Sequence, residues 1–137
     1  MNRNTKYKSK KNIHKHYDLS NDFFQTFLDK SMMYSCGVYP SKNASLEEAQ
    51  KEKMTQIIKK ADIKPDHHVL EVGTGWGAMA IEIVQTIGCK VTTVTISKEQ
   101  YNFAVQKIKE LKLDDKITVL LKDYRQLKGQ FDRIVSI

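Results

Sequence analysis

The run from Val69 to Gly77 places an apolar segment directly before three glycines in a G-x-G-x-G spacing, and a helix-forming run follows. Glycine lets the backbone turn sharply and lets a ligand approach closely, because no Cβ is in the way. A helix that begins at the last glycine has unpaired N–H groups and a positive dipole end, which attract an anion. This stretch therefore predicts a strand–turn–helix unit that binds a cofactor.

Two cofactor classes fit this turn. Gly73, Gly75 and Ala78 satisfy the G-x-G-x-x-G/A pattern of dinucleotide sites, in which a pyrophosphate is the anion. S-adenosylmethionine is the other candidate, with its methionine carboxylate as the anion. A dinucleotide site needs an acid about 20 residues further on. The second strand instead ends near Thr95, with no acid before Glu99, which weakens the dinucleotide interpretation. A turn that binds no ligand is the third interpretation.

Strand-like and helix-like segments alternate from residue 68 onward. Continuous runs of β-branched residues that alternate with helices are typical of a buried parallel sheet in a doubly wound α/β fold. Ligands of such folds bind at the carboxyl ends of the strands. The predicted strands are His68–Val72, Val91–Ile96, Ile117–Leu121 and Phe131–Ile137, and the predicted helices are Trp76–Ile87 and Lys98–Leu111.

The part of the chain before the sheet reads as helical. Ser20–Asp29 predicts a short helix with a bulky apolar face, and Ser45 with Glu48 forms a capping box that opens a longer amphipathic helix. We therefore divide the chain into a basic arm (residues 1–17), a helical lid segment (18–64) and the first half of a Rossmann-like domain (65–137).

Charge is concentrated at the N-terminus. Of the net charge of +7, residues 1–17 carry +6 from six basic side chains and no acid. Such an arm is commonly just solvated, but it can also attract anionic lipid. Nucleic acid is not expected as a partner, since nothing beyond charge supports it. The two cysteines are far apart, which predicts a reducing cytoplasm and no metal site.

The last predicted strand, Phe131–Ile137, has no turn after it and no helix to cover it. A half-built parallel sheet leaves an apolar edge exposed, which is an aggregation hazard. We therefore expect this sequence to be an N-terminal fragment of a longer protein.

Four separated motifs, in this order, resemble a known family. They are the segments His16–Phe24, Met33–Tyr39, Val69–Gly77 and Val94–Gln100. Together they resemble cyclopropane-fatty-acyl-phospholipid synthases and the related mycolic acid cyclopropane synthases, which depend on S-adenosylmethionine. The closing Phe131–Ile137 also resembles the family strand that precedes an E-x-x-E-H stretch.

The resemblance implies a cofactor role for residues in three of these motifs and for Asp123 and Tyr124 after the third strand. Tyr34 and Ser35 would reach over the cofactor, the glycine turn would lie beside its methionine portion, Thr95, Ser97 and Gln100 would hold the ribose, and Asp123 with Tyr124 would lie beside the adenine. The complete implied set is Tyr34, Ser35, Glu71, Gly73, Thr74, Gly75, Trp76, Gly77, Thr95, Ile96, Ser97, Gln100, Asp123 and Tyr124.

The resemblance also implies the chemistry. An alkene attacks the sulfonium methyl group, and the resulting carbocation closes to a three-membered ring when the new methyl loses a proton. A site for that reaction must be dry and rich in aromatic faces. Tyr17 is the residue expected to face the cation. The implied base is a bound bicarbonate, which Cys36 and Ile137 would contact through main-chain atoms.

The implied substrate is an unsaturated phospholipid acyl chain at the membrane surface, so we expect a cytoplasmic protein that is peripheral to the inner face of the membrane. A homodimer is among the oligomeric states left open. Two alternatives also stay open: a carbon or nitrogen methyltransferase of the same fold, and a non-catalytic module that binds lipid or nucleic acid through the basic arm.

Overall fold

A computed structural model of the chain describes residues 21–137. The helices are α1 (Asn21–Gln25), α2 (Leu46–Lys60), α3 (Ala78–Ile87) and α4 (Lys98–Glu110), with a short 3-10 helix at Tyr124–Gln126. The strands are β1 (His68–Val72), β2 (Lys90–Thr95), β3 (Ile117–Leu121) and β4 (Arg133–Val135).

The four strands form one parallel sheet in the order β3-β2-β1-β4. Val72 at the end of β1 is in register with Val94, and Leu70 is in register with Ile134 of β4. The chain moves outward from β1 through β2 to β3 and then returns to the other side of β1. Strand order therefore reverses at β1, and the carboxyl end of that strand is where a ligand crevice is expected in such sheets.

The core lies between the sheet and the helices. Both α3 and α4 pack against β2 and β3, and α2 packs against α3. The most deeply buried side chains of this core include Val69, Met79, Ile83, Val91 and Ile108. The continuous apolar run of α3 suits burial, and the helix ends at Gly88, whose left-handed backbone (φ 82°) terminates it without a Cβ penalty.

The helix α2 begins as the sequence predicts. The Ser45 side chain accepts a hydrogen bond from the Glu48 amide at 3.2 Å, and a Glu48 carboxylate oxygen accepts from the Ser45 amide at 2.7 Å. These two bonds form the capping box and satisfy donors that the helix leaves unpaired. The hydrogen bonds that the Ser45 amide and hydroxyl donate to the Glu48 carboxylate lower the pKa of Glu48. The first turn of α2 is therefore firmly placed.

The predicted doubly wound fold is confirmed, and strands β1 and β3 match their predicted bounds. The largest differences are at α1 and β4. The helix α1 is shorter than the predicted Ser20–Asp29, and β4 pairs with β1 over only three residues of the predicted Phe131–Ile137. The basic arm, Tyr17 and Ser20 lie outside the described residues. Within residues 21–137, no helix is both long and apolar enough to cross a bilayer.

Candidate functional site

A cavity of about 520 Å³ lies at the carboxyl ends of β1 and β2. Its size falls within the range of small-molecule sites. Five separate stretches of the chain line it, and they include most of the sequence-predicted site residues. The predicted residues in the lining are Tyr34, Ser35, Glu71, Gly73, Thr74, Gly75, Trp76, Thr95, Ile96, Gln100, Asp123, Tyr124 and Ile137.

The glycine turn (residues 73–77) connects β1 to α3 through three residues with positive φ. Gly73, Gly75 and Gly77 have φ of 99°, 52° and 91°. A Cβ built on Gly73 or Gly75 would meet nothing within 4 Å, so a ligand can approach the backbone there. A Cβ on Gly77 would instead lie 3.3 Å from the Ala104 Cβ. Gly77 therefore serves the packing of α3 against α4, and it does not line the cavity.

Glu71 is a buried ionisable residue of the site. Its side chain comes from β1, only 3% of the residue is exposed, and its Oε2 atom has no hydrogen-bond partner among residues 21–137. Burial raises the pKa of Glu71 to about 8, and a hydrogen bond from Thr93 limits the rise. A buried carboxyl oxygen without a partner is costly in a folded protein unless a ligand satisfies it. Its position in the cavity lining suits a cationic group.

The end of β2 carries a compact polar network. The Thr95 hydroxyl donates to Gln100 Oε1 at 3.0 Å and accepts from the Ser97 amide at 3.1 Å, and all three residues are buried. Ser97 also caps α4 by accepting from the Gln100 amide. The network orients the Gln100 amide in the cavity, whereas Ser97 stays outside the lining. The ribose role of these three residues stays a prediction.

A third wall comes from the segment after β3. Asp123 receives three hydrogen bonds from Arg125, from the backbone amide at 2.9 Å and from the side chain through Nε at 2.9 Å and Nη2 at 2.5 Å. Arg125 therefore fixes the orientation of the Asp123 carboxylate beside the cavity. Tyr124 lines the cavity with its side chain about half exposed. The adenine role of Asp123 and Tyr124 stays a prediction.

The roof segment (Met32–Ser35) closes the cavity from the N-terminal side. Met32 is buried against Phe24 and Trp76, and the Phe24 and Trp76 rings lie 4.9 Å apart. Trp76 belongs to the glycine turn, and its indole nitrogen donates to Asn21 Oδ1 at 2.9 Å. The turn and the helix α1 are therefore joined through one aromatic side chain.

Comparison with known proteins agrees with this arrangement. A family model described as "Mycolic acid cyclopropane synthetase" matches residues 4–137. The chain belongs to this family. It is 43% identical over 122 residues to a cyclopropane-fatty-acyl-phospholipid synthase of Escherichia coli, covering 89% of this chain and 31% of the relative. It is 37% identical over 126 residues to cyclopropane mycolic acid synthase 1 of Mycobacterium tuberculosis, covering 92% of this chain and 44% of the relative.

Solved structures of the family have the same fold. The chain superposes on mycolic acid cyclopropane synthase CmaA1 in complex with SAH and CTAB with a TM-score of 0.88 and 37% identity, covering 93% of this chain and 45% of that one. The chain thus spans roughly a third to less than half of the length of the family members it matches.

The cavity of this family member fits S-adenosylmethionine by its donor and acceptor groups. The unpartnered Glu71 oxygen suits the ammonium group, and the open backbone at Gly73 and Gly75 suits close approach of the methionine portion. The network of Thr95 and Gln100 offers polar atoms for hydroxyl groups. The chemistry of these cavity residues agrees with the S-adenosylmethionine interpretation of the glycine turn.

Of the three residues predicted to be catalytic, the structure places only Ile137 in the cavity lining. Ile137 lies in the cavity lining and is 44% exposed. Cys36 is exposed and does not line the cavity, although it directly follows the roof segment. Tyr17 falls outside the described residues. The catalytic roles of Tyr17, Cys36 and Ile137 stay predictions.

Sequence reasoning missed Gln50 and Lys53 of α2, which contact the roof segment from behind. They are 2% and 7% exposed. A signal was present in the sequence: both polar residues fall on the apolar face of the helix, between Ala49 and Met54, where the 3.6-residue period predicts burial. No acidic residue lies three or four positions from Lys53 on its helix, so this buried lysine needs a partner elsewhere.

Proposed function

We propose that this sequence belongs to an S-adenosylmethionine-dependent methyltransferase that modifies the double bond of unsaturated phospholipid acyl chains, forming a cyclopropane ring. The observation that carries the proposal is the cavity in which the glycine turn and buried Glu71 face the roof segment. The family match over residues 4–137 supports the substrate class.

In this proposal the cofactor supplies an electrophilic methyl group on a sulfonium. Glu71 binds the ammonium group, and the backbone of the glycine turn binds the carboxylate. Gln100 and Thr95 bind the ribose hydroxyls, and the Asp123 carboxylate accepts from the adenine amine while Arg125 holds it in place.

The acyl chain has to reach this cavity from a membrane. Phe23, Phe27, Tyr34 and Tyr39 each leave about half of their surface exposed on the N-terminal side of the molecule. Aromatic side chains suit the boundary between lipid and water. We propose that this surface, together with the basic arm, meets anionic lipid at the cytoplasmic face of the membrane.

Two finer parts of the proposal rest on the family alone. Bicarbonate would contact the main chain of Cys36 and Ile137, and Ile137 is a lining residue of the cavity. A homodimer likewise stays a prediction.

The cofactor site is tested with a matched pair of glycine variants. Gly73 and Gly129 both have positive φ and open space at the Cβ position, but only Gly73 lines the cavity. Both Gly73→Ala and Gly129→Ala should therefore cost about 1 kcal/mol or more of stability through backbone strain. Isothermal titration should show S-adenosylmethionine binding to the unaltered chain and to Gly129→Ala, with affinity reduced about tenfold or more in Gly73→Ala.

The titrations use the complete gene product. Equal affinity in its two glycine variants would place the cofactor elsewhere, and no binding by the unaltered complete gene product would remove the cofactor proposal. The substrate is tested with the complete gene product, methyl-labelled S-adenosylmethionine and anionic vesicles. Label should enter vesicles of unsaturated phospholipid and not vesicles of saturated phospholipid. Label in neither, by a protein that binds the cofactor, would refute the acyl-chain proposal.

A methyltransferase that adds a methyl branch is the second candidate. A relative named tuberculostearic acid methyltransferase, from Mycobacterium tuberculosis, is 37% identical over 136 residues, covering 94% of this chain and 32% of the relative. Proton NMR and mass spectrometry of the labelled acyl chains separate the two products. Cyclopropane ring protons support the first proposal, and a methyl branch without a ring supports the second.

A further inference from the structure

The roof segment and the residues that follow it are held against α2 by polar contacts rather than by a sheet. Gln50 Nε2 donates to the Ser35 carbonyl at 2.8 Å and to the Met33 carbonyl at 3.2 Å. Lys53 Nζ donates to the Ser35 hydroxyl at 2.7 Å and to the Ser35 carbonyl at 3.1 Å. Two side chains one helical turn apart thus bind the same short stretch of main chain.

Backbone packing continues this attachment. The Val38 amide donates to the Ala49 carbonyl at 3.0 Å. A Cβ on Gly37 would lie 2.7 Å from the Ala49 Cβ, so this segment lies directly on the helix surface. The contacts leave no room for the segment to slide along α2, and the register between the two is defined.

The attachment carries an energetic cost that packing alone does not explain. Burial lowers the pKa of Lys53, although the nearby Cys36 and Asp29 oppose that shift. Gln50 Oε1 is buried without a hydrogen-bond partner. An apolar side chain at either position would avoid these penalties. What the two polar side chains supply is donors to the carbonyls of Met33 and Ser35.

We propose that Gln50 and Lys53 are positioning residues that hold Tyr34 and Ser35 over the cofactor cavity. This inference rests on the proposed function, in which the cavity binds S-adenosylmethionine. Neither Gln50 nor Lys53 lines the cavity, whereas every residue of the roof segment does. The two side chains therefore act on the cofactor through the main chain of Met33 and Ser35.

The test replaces each donor with a side chain of similar length that cannot donate. In Lys53→Met and Gln50→Met, loss of a donor to the Ser35 carbonyl should weaken S-adenosylmethionine binding about tenfold. Lys51→Met and Gln56→Met are matched controls on the same helix, since Lys51 is exposed and Gln56 bonds only to Glu52. Isothermal titration on the complete gene product should show control affinities close to that of the unaltered protein.

A second measurement needs no cofactor. Amide hydrogen exchange over residues 33–38 should accelerate about tenfold in Lys53→Met and Gln50→Met, while exchange in β1 and α3 stays unchanged. The controls should exchange like the unaltered chain. A merely structural role in the fold would instead accelerate exchange throughout.

The two readouts separate the inference from the proposed function. Normal exchange over residues 33–38 in both variants overturns the inference, whatever the binding result. Faster exchange with unchanged binding also overturns it, because the held segment would then not serve the cofactor. If the unaltered chain fails to bind S-adenosylmethionine, the proposed function fails, and the cofactor role of Gln50 and Lys53 falls with it.

Discussion

The glycine turn and the roof segment face the same cavity but are built differently. The turn is continuous with the central strand β1, and the amides of Gly73 and Thr74 donate to the Val94 carbonyl at 3.0 and 3.1 Å. The roof segment has no strand partner. A small aromatic cluster and the side chains of Gln50 and Lys53 hold it in place.

Because of this difference, the two walls of the site should open with different free energies. The turn can open only if the sheet opens, so its free energy of opening approaches that of global unfolding. The roof segment can detach when a few side-chain contacts break. A cavity with one rigid wall and one detachable wall can hold a polar cofactor in place while still admitting a large substrate.

The largest expected contrast comes from truncating one buried side chain in each region. Ile83 is 0% exposed in the main core, and Phe24 is 3% exposed in the aromatic cluster. Ile83→Ala should lower the free energy of global unfolding by about 3 kcal/mol, because it removes packing and leaves a cavity. Phe24→Ala should lower it by less than about 1 kcal/mol, because α1 and the roof segment detach locally.

Urea denaturation measures the free energy of global unfolding, and hydrogen exchange over residues 21–35 measures the local opening of α1 and the roof segment. Phe27→Ala is the matched control, since Phe27 is 49% exposed. A loss of global stability in Phe24→Ala as large as in Ile83→Ala would mean that the roof segment folds as one unit with the sheet, and the comparison would fail.

The second prediction concerns pH and Glu71. Its folded-state pKa of about 8 lies above the ordinary value of 4.5, so the folded state keeps a proton that the unfolded state releases. The free energy of unfolding should therefore fall as pH rises from 5 to 8, by on the order of 3 kcal/mol from this group. Glu71→Gln stays neutral and should lack this contribution.

Urea denaturation of both chains at pH 5 and pH 8 tests the sign. Parallel pH profiles would show that Glu71 is already ionised in the fold. Binding of the cationic cofactor should favour the ionised carboxylate and release a proton near pH 7. Isothermal titration in two buffers of different ionisation enthalpy detects that proton, and Glu71→Gln should release none.

The smallest expected effect is at the start of α2, the helix that carries Gln50 and Lys53. Ser45→Ala removes the side-chain half of the capping box and should cost about 1 kcal/mol. Hydrogen exchange should accelerate in the first turn of α2 and leave residues 33–35 nearly unchanged, because Gln50 and Lys53, which bind them, lie beyond that turn. Faster exchange over residues 33–35 would link the cap to the roof segment.

Local patterns predicted the elements well where packing agrees with them. The apolar runs of β1 and β3 and the capping box at Ser45 depend on neighbouring residues, so their bounds could be read directly. The short β4 could not, because its length depends on how many residues pair with β1. The predicted helix at residues 20–29 was too long, since α1 ends at Gln25.

The sequence motifs likewise contain both residues that line the cavity and residues that do not. Motif positions such as Glu71, Gly73 and Gln100 line the cavity as the sequence led us to expect. Gly77 and Ser97 belong to the same motifs but serve packing and helix capping. Spacing alone does not distinguish a residue that faces a ligand from one that supports the turn beside it.

By itself, the sequence determined the alternation of strands and helices, the glycine turn and the family, because each depends on residues that are close together in the chain. Only the tertiary structure decided that Glu71 is buried with an unpartnered oxygen, and that Gln50 and Lys53 reach Ser35. Burial and long-range hydrogen bonds depend on which distant segments meet. That meeting follows from the order of the strands and the packing of α2, which no local pattern encodes.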